Sequence, residues 1–311
     1  MSQLRAIQDQ LLTNVSSMLQ PEGYISEQIF PFVPVKEKTG KLAKYGLSHI
    51  RIETSYIGGR GKYRRVEAIT RSNTGYDIEG HGLEGMVTKD DYRNVQKPYD
   101  AEADEALGLA SMLWTEKEYI LAQALADTGT VSQNVTLSAG SQFSDYDNSD
   151  PVKRFITARN AVKDGCGRFP DTAWMDSRVA EYLRYHPAIL DFLGFKESRP
   201  GGLNNQELAK ALNVKRVLIA EADYNSAKEG QTDVLAAIWG KHIWFGVCPE
   251  SPQVRQVSAG YRVGYQGEKP RKITKWPVNN PDGATAILCV DEYDFLLSNT
   301  GALYLIKDAI A

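Results

Sequence analysis

The chain has 311 residues, 42% hydrophobic and 24% charged, with a formal net charge of −3. That is room for one large or two ordinary domains, without the strongly basic balance of a free nucleic-acid binder. No apolar run reaches the roughly 18 residues of a membrane span. The start, Met1-Ser2-Gln3-Leu4-Arg5, lacks a secretory pattern. Cys166, Cys248 and Cys289 read as reduced thiols of a protein made in a cytosol, not as a disulfide framework.

Residues 3–19 carry a weak helical stripe of Leu4, Ile7, Leu11, Leu12, Val15 and Leu19, closed by Pro21 and Gly23. The prolines of Ile29-Phe30-Pro31-Phe32-Val33-Pro34-Val35 then forbid a helix and favour an extended segment. Such an apolar stretch needs a surface: either its own core, or a neighbouring subunit contacted through Pro31, Phe32 and Pro34.

From Lys36 to Arg71 ten basic residues face only Glu37, Glu53 and Glu67. His49–Glu53 and Arg65–Ile69 read as strands around Gly58-Gly59-Arg60-Gly61, a long hairpin with a glycine-rich basic tip. Few large apolar residues lie on either face, and a hairpin that buries nothing is marginal alone. Arg60, Lys62, Arg64 and Arg65 are therefore candidates for contact with another subunit. The following stretch, from Asp77 to Glu105, reverses the sign of the charge.

Asp100 caps the clearest element, a helix over about 100–127, with Glu102, Asp104 and Glu105 at its positive end. Ala106, Leu109, Ala110, Leu113, Ile120, Leu121 and Ala124 keep helical spacing, and Gly129 stands just beyond. At about 1.5 Å per residue it is roughly 40 Å long, against a radius of gyration near 20 Å for a chain of this size. It must cross the whole body. Gly108 inside it is a candidate bend. The acidic first turn offers a landing surface for a neighbour's basic loop.

After Gly129 the pattern becomes mixed α and β. Asp150-Pro151 opens a helix running to Gly165, Thr172–Met175 reads as a buried strand, and a helix continues through Tyr185. A short helix over 205–213 precedes strands at Val214–Ala222, Ile238–Val247, Tyr261–Tyr265 and Ala284–Val290. Asp291–Ile310 suggests a hairpin turning at Ser298-Asn299-Thr300-Gly301.

Motifs for chemistry fail one by one. Gly58-Gly59-Arg60-Gly61-Lys62 lacks the spacing of a phosphate loop, with Tyr56 where glycine belongs and Tyr63 where Ser or Thr does. An EF-hand starting at Asp145 needs glycine at Asp150 and glutamate at Ile156. The four histidines are scattered, and Cys248 near His242 reads as a buried cysteine. No catalytic, cofactor or metal residue is assigned.

The order of features carries a resemblance. The proline-punctuated arm and basic hairpin precede Gly82-Leu83-Glu84-Gly85-Met86-Val87, Asp91-Tyr92-Arg93-Asn94 and Pro98-Tyr99-Asp100. The long helix holds Leu113-Trp114-Thr115-Glu116, and Pro151–Ile156, Gly167–Met175 and His186-Pro187 follow. This series resembles the coat proteins of tailed phages, which share the Hong Kong (HK) phage capsid fold. The resemblance implies an α+β fold: 1–46 as N-terminal arm, 47–80 as extended E-loop, and 81–150 as peripheral domain with the spine helix. Residues 151–255 become the axial domain, completed with the peripheral one by strands of 256–311.

It also implies a non-enzymatic major capsid protein, assembled in the host cytoplasm through hexamers and pentamers into a virion shell around double-stranded DNA. The partners are then copies of itself, a portal protein, a possible decoration protein and DNA held non-specifically, with no membrane. About 28 residues ahead of the arm imply a separate scaffolding protein. Some relatives cross-link a loop lysine to an asparagine on another subunit; the resemblance places Lys62 for that role, and the sequence identifies no partner for it. A nanocompartment shell of the encapsulin type shares the fold, and a small-molecule α/β enzyme is the alternative from another class.

Overall fold

The computed structural model describes residues 7–8, 12–13, 21–45, 51–53, 65–66, 71–94, 100–195, 201–228, 230–252, 256–266, 271–278 and 283–311. Two sheets organise it, and the long helix joins them.

The first sheet is built around a 13-residue strand, β14 (Thr285–Leu297). It pairs antiparallel with β5 (Glu79–Val87), β12 (Gly260–Tyr265) and β13 (Arg271–Pro277). Two short N-terminal segments extend it: β1 (Ile7–Gln8) beside β13, and β2 (Phe32–Val35) parallel to β12. Alternate residues of β14 turn inward, so Ile287 and Cys289 meet Leu109, Ala110 and Leu113 of the helix in a small core.

The second sheet has the order β6 (Asn134–Thr136), β15 (Leu303–Lys307), β11 (Ile243–Gly246), β7 (Thr172–Asp176), β8 (Arg216–Ala220). Strands β7 and β11 are buried throughout, as central strands covered on both faces should be. The helices α4 (Pro151–Cys166), α5 (Ser177–Arg184), α6 (Pro187–Phe192) and α7 (Asn205–Leu212) cover it and close the larger core. Asp150 caps α4 by accepting from the Lys153 N–H, and Gly167 ends it at φ 78°.

Helix α3 (Ala101–Ala126) is capped by Asp100, which accepts from the Glu102 N–H. Its first half, Ala106 to Leu113, packs in the small core. Its last turns, Leu121, Ala122 and Leu125, pack in the large one, where the Trp244 indole donates to the Leu125 carbonyl. Of two short helices, α1 (Ser26–Ile29) sends Ile29 into the large core and α2 (Lys89–Asn94) buries no residue, while β9 (Asp223–Asn225) and β10 (Leu235–Ala237) form a separate antiparallel pair. Among the described residues no helix is long and apolar enough to cross a membrane.

Four expectations change. Ile7–Gln8 is extended and paired with Thr274 and Lys275, because an open sheet edge satisfies its backbone better than a weak stripe could. The basic hairpin's described ladder is β3 (Thr39–Tyr45) against β4 (Arg71–Asp77). Residues 51–53 and 65–66 are not in strands, and the tip at Gly58–Gly61 lies outside the described residues. Strand β11 begins at Ile243, not Ile238, since Gly240 turns the chain at φ 60°.

The terminal hairpin does not form either. Strand β14 runs on to Leu297 and β15 joins the other sheet, so Thr300–Ala302 carries the chain between sheets. The charges at Asp291 and Glu292 made the middle of one strand look like its end.

Candidate assembly surfaces and a buried charge cluster

Between its two cores α3 turns charged side chains inward. Trp114, Lys117 and Glu118 are all buried there. The Lys117 ammonium lies 2.8 Å from a Glu27 carboxylate oxygen and 3.3 Å from Asp291, and 4.4 Å above the Tyr293 ring. Arg271 donates to Asp291 at 3.3 Å and stacks 3.8 Å over Trp114. Arg262 reaches Glu27 at 2.9 Å and covers Phe32.

Three cations thus share two carboxylates. Burial alone would raise the Glu27 carboxyl, but Lys117, Arg262 and Arg271 outweigh it and hold the group below its ordinary range. Glu118 has no cation in this set. It accepts from the Ile25 and Ser26 N–H groups and from the Trp239 indole, so it caps α1, whose own N-cap residue supplies no side-chain bond. Burial pushes the Glu118 carboxyl up in spite of these donors. The cluster ties the arm, the helix and the first sheet at one point.

The candidate surface residues fall as follows. Arg60, Lys62 and Arg64 lie outside the described residues, and Arg65 is exposed. Pro31, Phe32 and Pro34 belong to the sheet's own edge: Pro31 is buried and accepts from the Arg262 N–H, while Phe32 and Pro34 face outward. A proline is tolerated in β2 because that strand is an edge. Glu102 is engaged within the chain, accepting from Lys275 at 2.9 Å and from the Tyr92 hydroxyl. Asp104 is exposed, Glu105 folds over Gly85, and Gly108 faces open space.

Among the described residues no other cluster suggests chemistry. Asp145 accepts from Asn148 and from the Asp147 N–H, which makes its loop a closed turn. Among the described residues no group of three His, Cys, Asp or Glu could hold a metal. Cys166, Cys248 and Cys289 are free and buried, and burial raises each thiol. His186 caps α6 by accepting from the Ala188 N–H, with Ser149 at 2.9 Å from its other nitrogen.

No family model matches the chain. The major capsid protein of Burkholderia phage BcepMu is 25% identical over 80% of this chain and 78% of its own length. A crystal structure of a phage-related protein from Bordetella bronchiseptica superposes with a TM-score of 0.72 over 98% of both chains, at 22% identity. The capsid of cyanophage P-SCSP1u follows at 0.59 and 12% identity, over 90% of this chain and 86% of that one. The chain is a tailed-phage major capsid protein. Its role in the virion is structural and not enzymatic.

Proposed function

We propose that this capsid protein closes through hexameric and pentameric rings into an icosahedral shell around double-stranded DNA, with the β3–β4 ladder lying on a neighbouring subunit. The observation that carries the reading is the ladder itself. Seven cross-strand pairs run from Thr39–Asp77 to Tyr45–Arg71, yet none of the described side chains of 39–44 and 72–77 is buried. Leu42 and Tyr76 lean partly on the small cluster of Val35, Ile78, Val263 and Leu296; the rest of the ribbon buries nothing at home, is marginal in water and gains its stability by resting on another surface.

Charge suggests where. The ladder and the segment beyond it are basic, through Lys41, Lys44, Arg60, Lys62, Arg64 and Arg65. Exposed Asp90, Asp91 and Asp104 offer the opposite sign. Such complementarity sets register more than affinity. Ring contacts of this kind join unlike patches, and their rotation must close. Phe32 and Pro34 add an apolar outer edge for the same neighbour.

A separate scaffolding protein, a portal and possible decoration proteins complete the set, and DNA is held without sequence preference. A net charge of −3 suits that lining, since a strongly basic one would bind packaged DNA tightly and salt-dependently. The test is to replace Arg60, Lys62, Arg64 and Arg65 together by serine and count shells by electron microscopy. Fewer or less stable particles are expected, and wild-type yield and stability would overturn the border role.

A further inference from the structure

Strands β13 and β12 cover successive stretches of β14, residues 285–291 and 294–297, and their registers differ by five residues. Glu292 and Tyr293 therefore fall between the two paired stretches. A cavity of about 370 Å³ opens at this interruption. Its walls are aromatic (Phe32, Tyr265 and Tyr293), and its charged lining comprises Lys117, Arg262 and Lys272 against Glu27 and Glu292. Both carboxylates are engaged, Glu27 by Lys117 and Arg262, and Glu292 by Lys38 at 3.2 Å.

Two donors there have no acceptor among the described residues. Tyr293 is only 6% exposed and its hydroxyl makes no hydrogen bond, nor does the buried Arg262 Nε. A buried donor without a partner is costly, and an arriving acceptor recovers that cost. A carboxylate offers two oxygens and about four lone-pair sites, enough for both donors at once. At the mouth, Phe32 is 40% exposed and would be covered by whatever carries that group.

We propose that this cavity receives an Asp or Glu side chain of a second copy of this chain. The proposal rests on the shell reading above. In a closed shell the neighbour is held in place, so the side chain arrives at high effective concentration, which a dissolved carboxylate does not have. The contact forms only on assembly, because among the described residues the free subunit offers no acceptor to the pair.

The test compares wild type with Tyr293→Phe, which keeps the ring over Lys117 and removes only the hydroxyl. The unassembled variant should melt at the wild-type temperature or slightly above, and its shells should come apart at a lower temperature. Cryo-electron microscopy of wild-type shells should place a neighbour's carboxylate within about 3 Å of the Tyr293 hydroxyl. Variant shells as stable as wild type, or a cavity holding only water, would overturn the proposal. So would sodium acetate, against sodium chloride at equal ionic strength, raising the melting temperature of unassembled wild type but not of the variant. A wild-type chain that forms no shells would instead sink the shell reading.

Discussion

Lys117 and Glu27, ninety residues apart in the chain, are held 2.8 Å apart beneath the first sheet. Asp291 completes the arrangement with no exposed side-chain surface. Removing it leaves Lys117, Arg262 and Arg271 against Glu27 alone. Asp291→Asn should therefore destabilise the unassembled subunit by about 3–5 kcal/mol, as breaking a buried pair does. Lys117→Met leaves two cations with two carboxylates and should cost distinctly less. Urea unfolding of the two variants decides; equal losses would mean that charge balance does not govern this cluster.

Acid should act on the subunit in two steps, and their signs can be worked out. Burial lowers the His186 and His242 imidazoles below 6.5, with Asp150 and Asp308 pulling the other way. Each ring accepts a backbone N–H on Nδ1, from Ala188 and from Asp308, so protonation breaks both bonds. The folded state binds fewer protons here than the unfolded one, so their contribution is complete above pH 6.5 and is lost as pH falls below it. Glu27, held below 4.5, contributes fully above that value and loses its contribution only as pH falls through the lower folded one. His186→Asn keeps a residue suited to helix capping and should flatten the upper step in a plot of stability against pH.

Two glycines should respond in opposite ways to alanine. A Cβ at Gly108 meets nothing within 4 Å, so Gly108→Ala should stabilise the subunit by up to about 1 kcal/mol. If the helix bends there in an immature shell, the same change should slow expansion, followed by light scattering; a wild-type rate would remove that role. A Cβ at Gly165 would run into the Gly301 carbonyl, where α4 meets the crossing between sheets. Gly165→Ala should cost about 1–3 kcal/mol, readable as an earlier urea midpoint.

The thiols should be inert in the native state. Burial pushes Cys289 up to about 11 and Cys248 further, so neither offers a thiolate near neutrality. An aromatic disulfide reagent should react with native subunits only at the rate of unfolding. Prompt labelling of any one cysteine would contradict its burial.

Much of this architecture was legible because its signals are local. Asp100, the stripe from Ala106 to Leu121 and Gly129 delimit α3 to within a residue or two, and Asp150-Pro151 opens α4 as read. What escaped depends on partners distant in sequence. Ile7–Gln8 becomes a strand only because β13 offers it an edge, and β14 reaches 13 residues because three strands cover it. Lys117 and Glu118 pass for solvent-facing residues of an acidic helix. Their one local signal was phase: both fall on the stripe of Leu113, Trp114 and Leu121. Glu102 shows the converse, since an apparently free acidic turn is bound by Lys275 from the far end of the chain.

One rod rooted in two cores gives the subunit a graded joint. Apolar packing on either side of residues 114–118 is close-fitting, and sliding it opens voids that cost energy at once. Ion pairs weaken more gradually, in inverse proportion to distance, so a small shift of Lys117 between Glu27 and Asp291 weakens one pair as it strengthens the other without breaking the cluster. A small rotation of the first sheet against the second would be absorbed at that waist, with both cores intact. In the shell proposed above, five-fold and six-fold rings would demand slightly different angles from the same chain, and this is the place along α3 where the difference would be taken up.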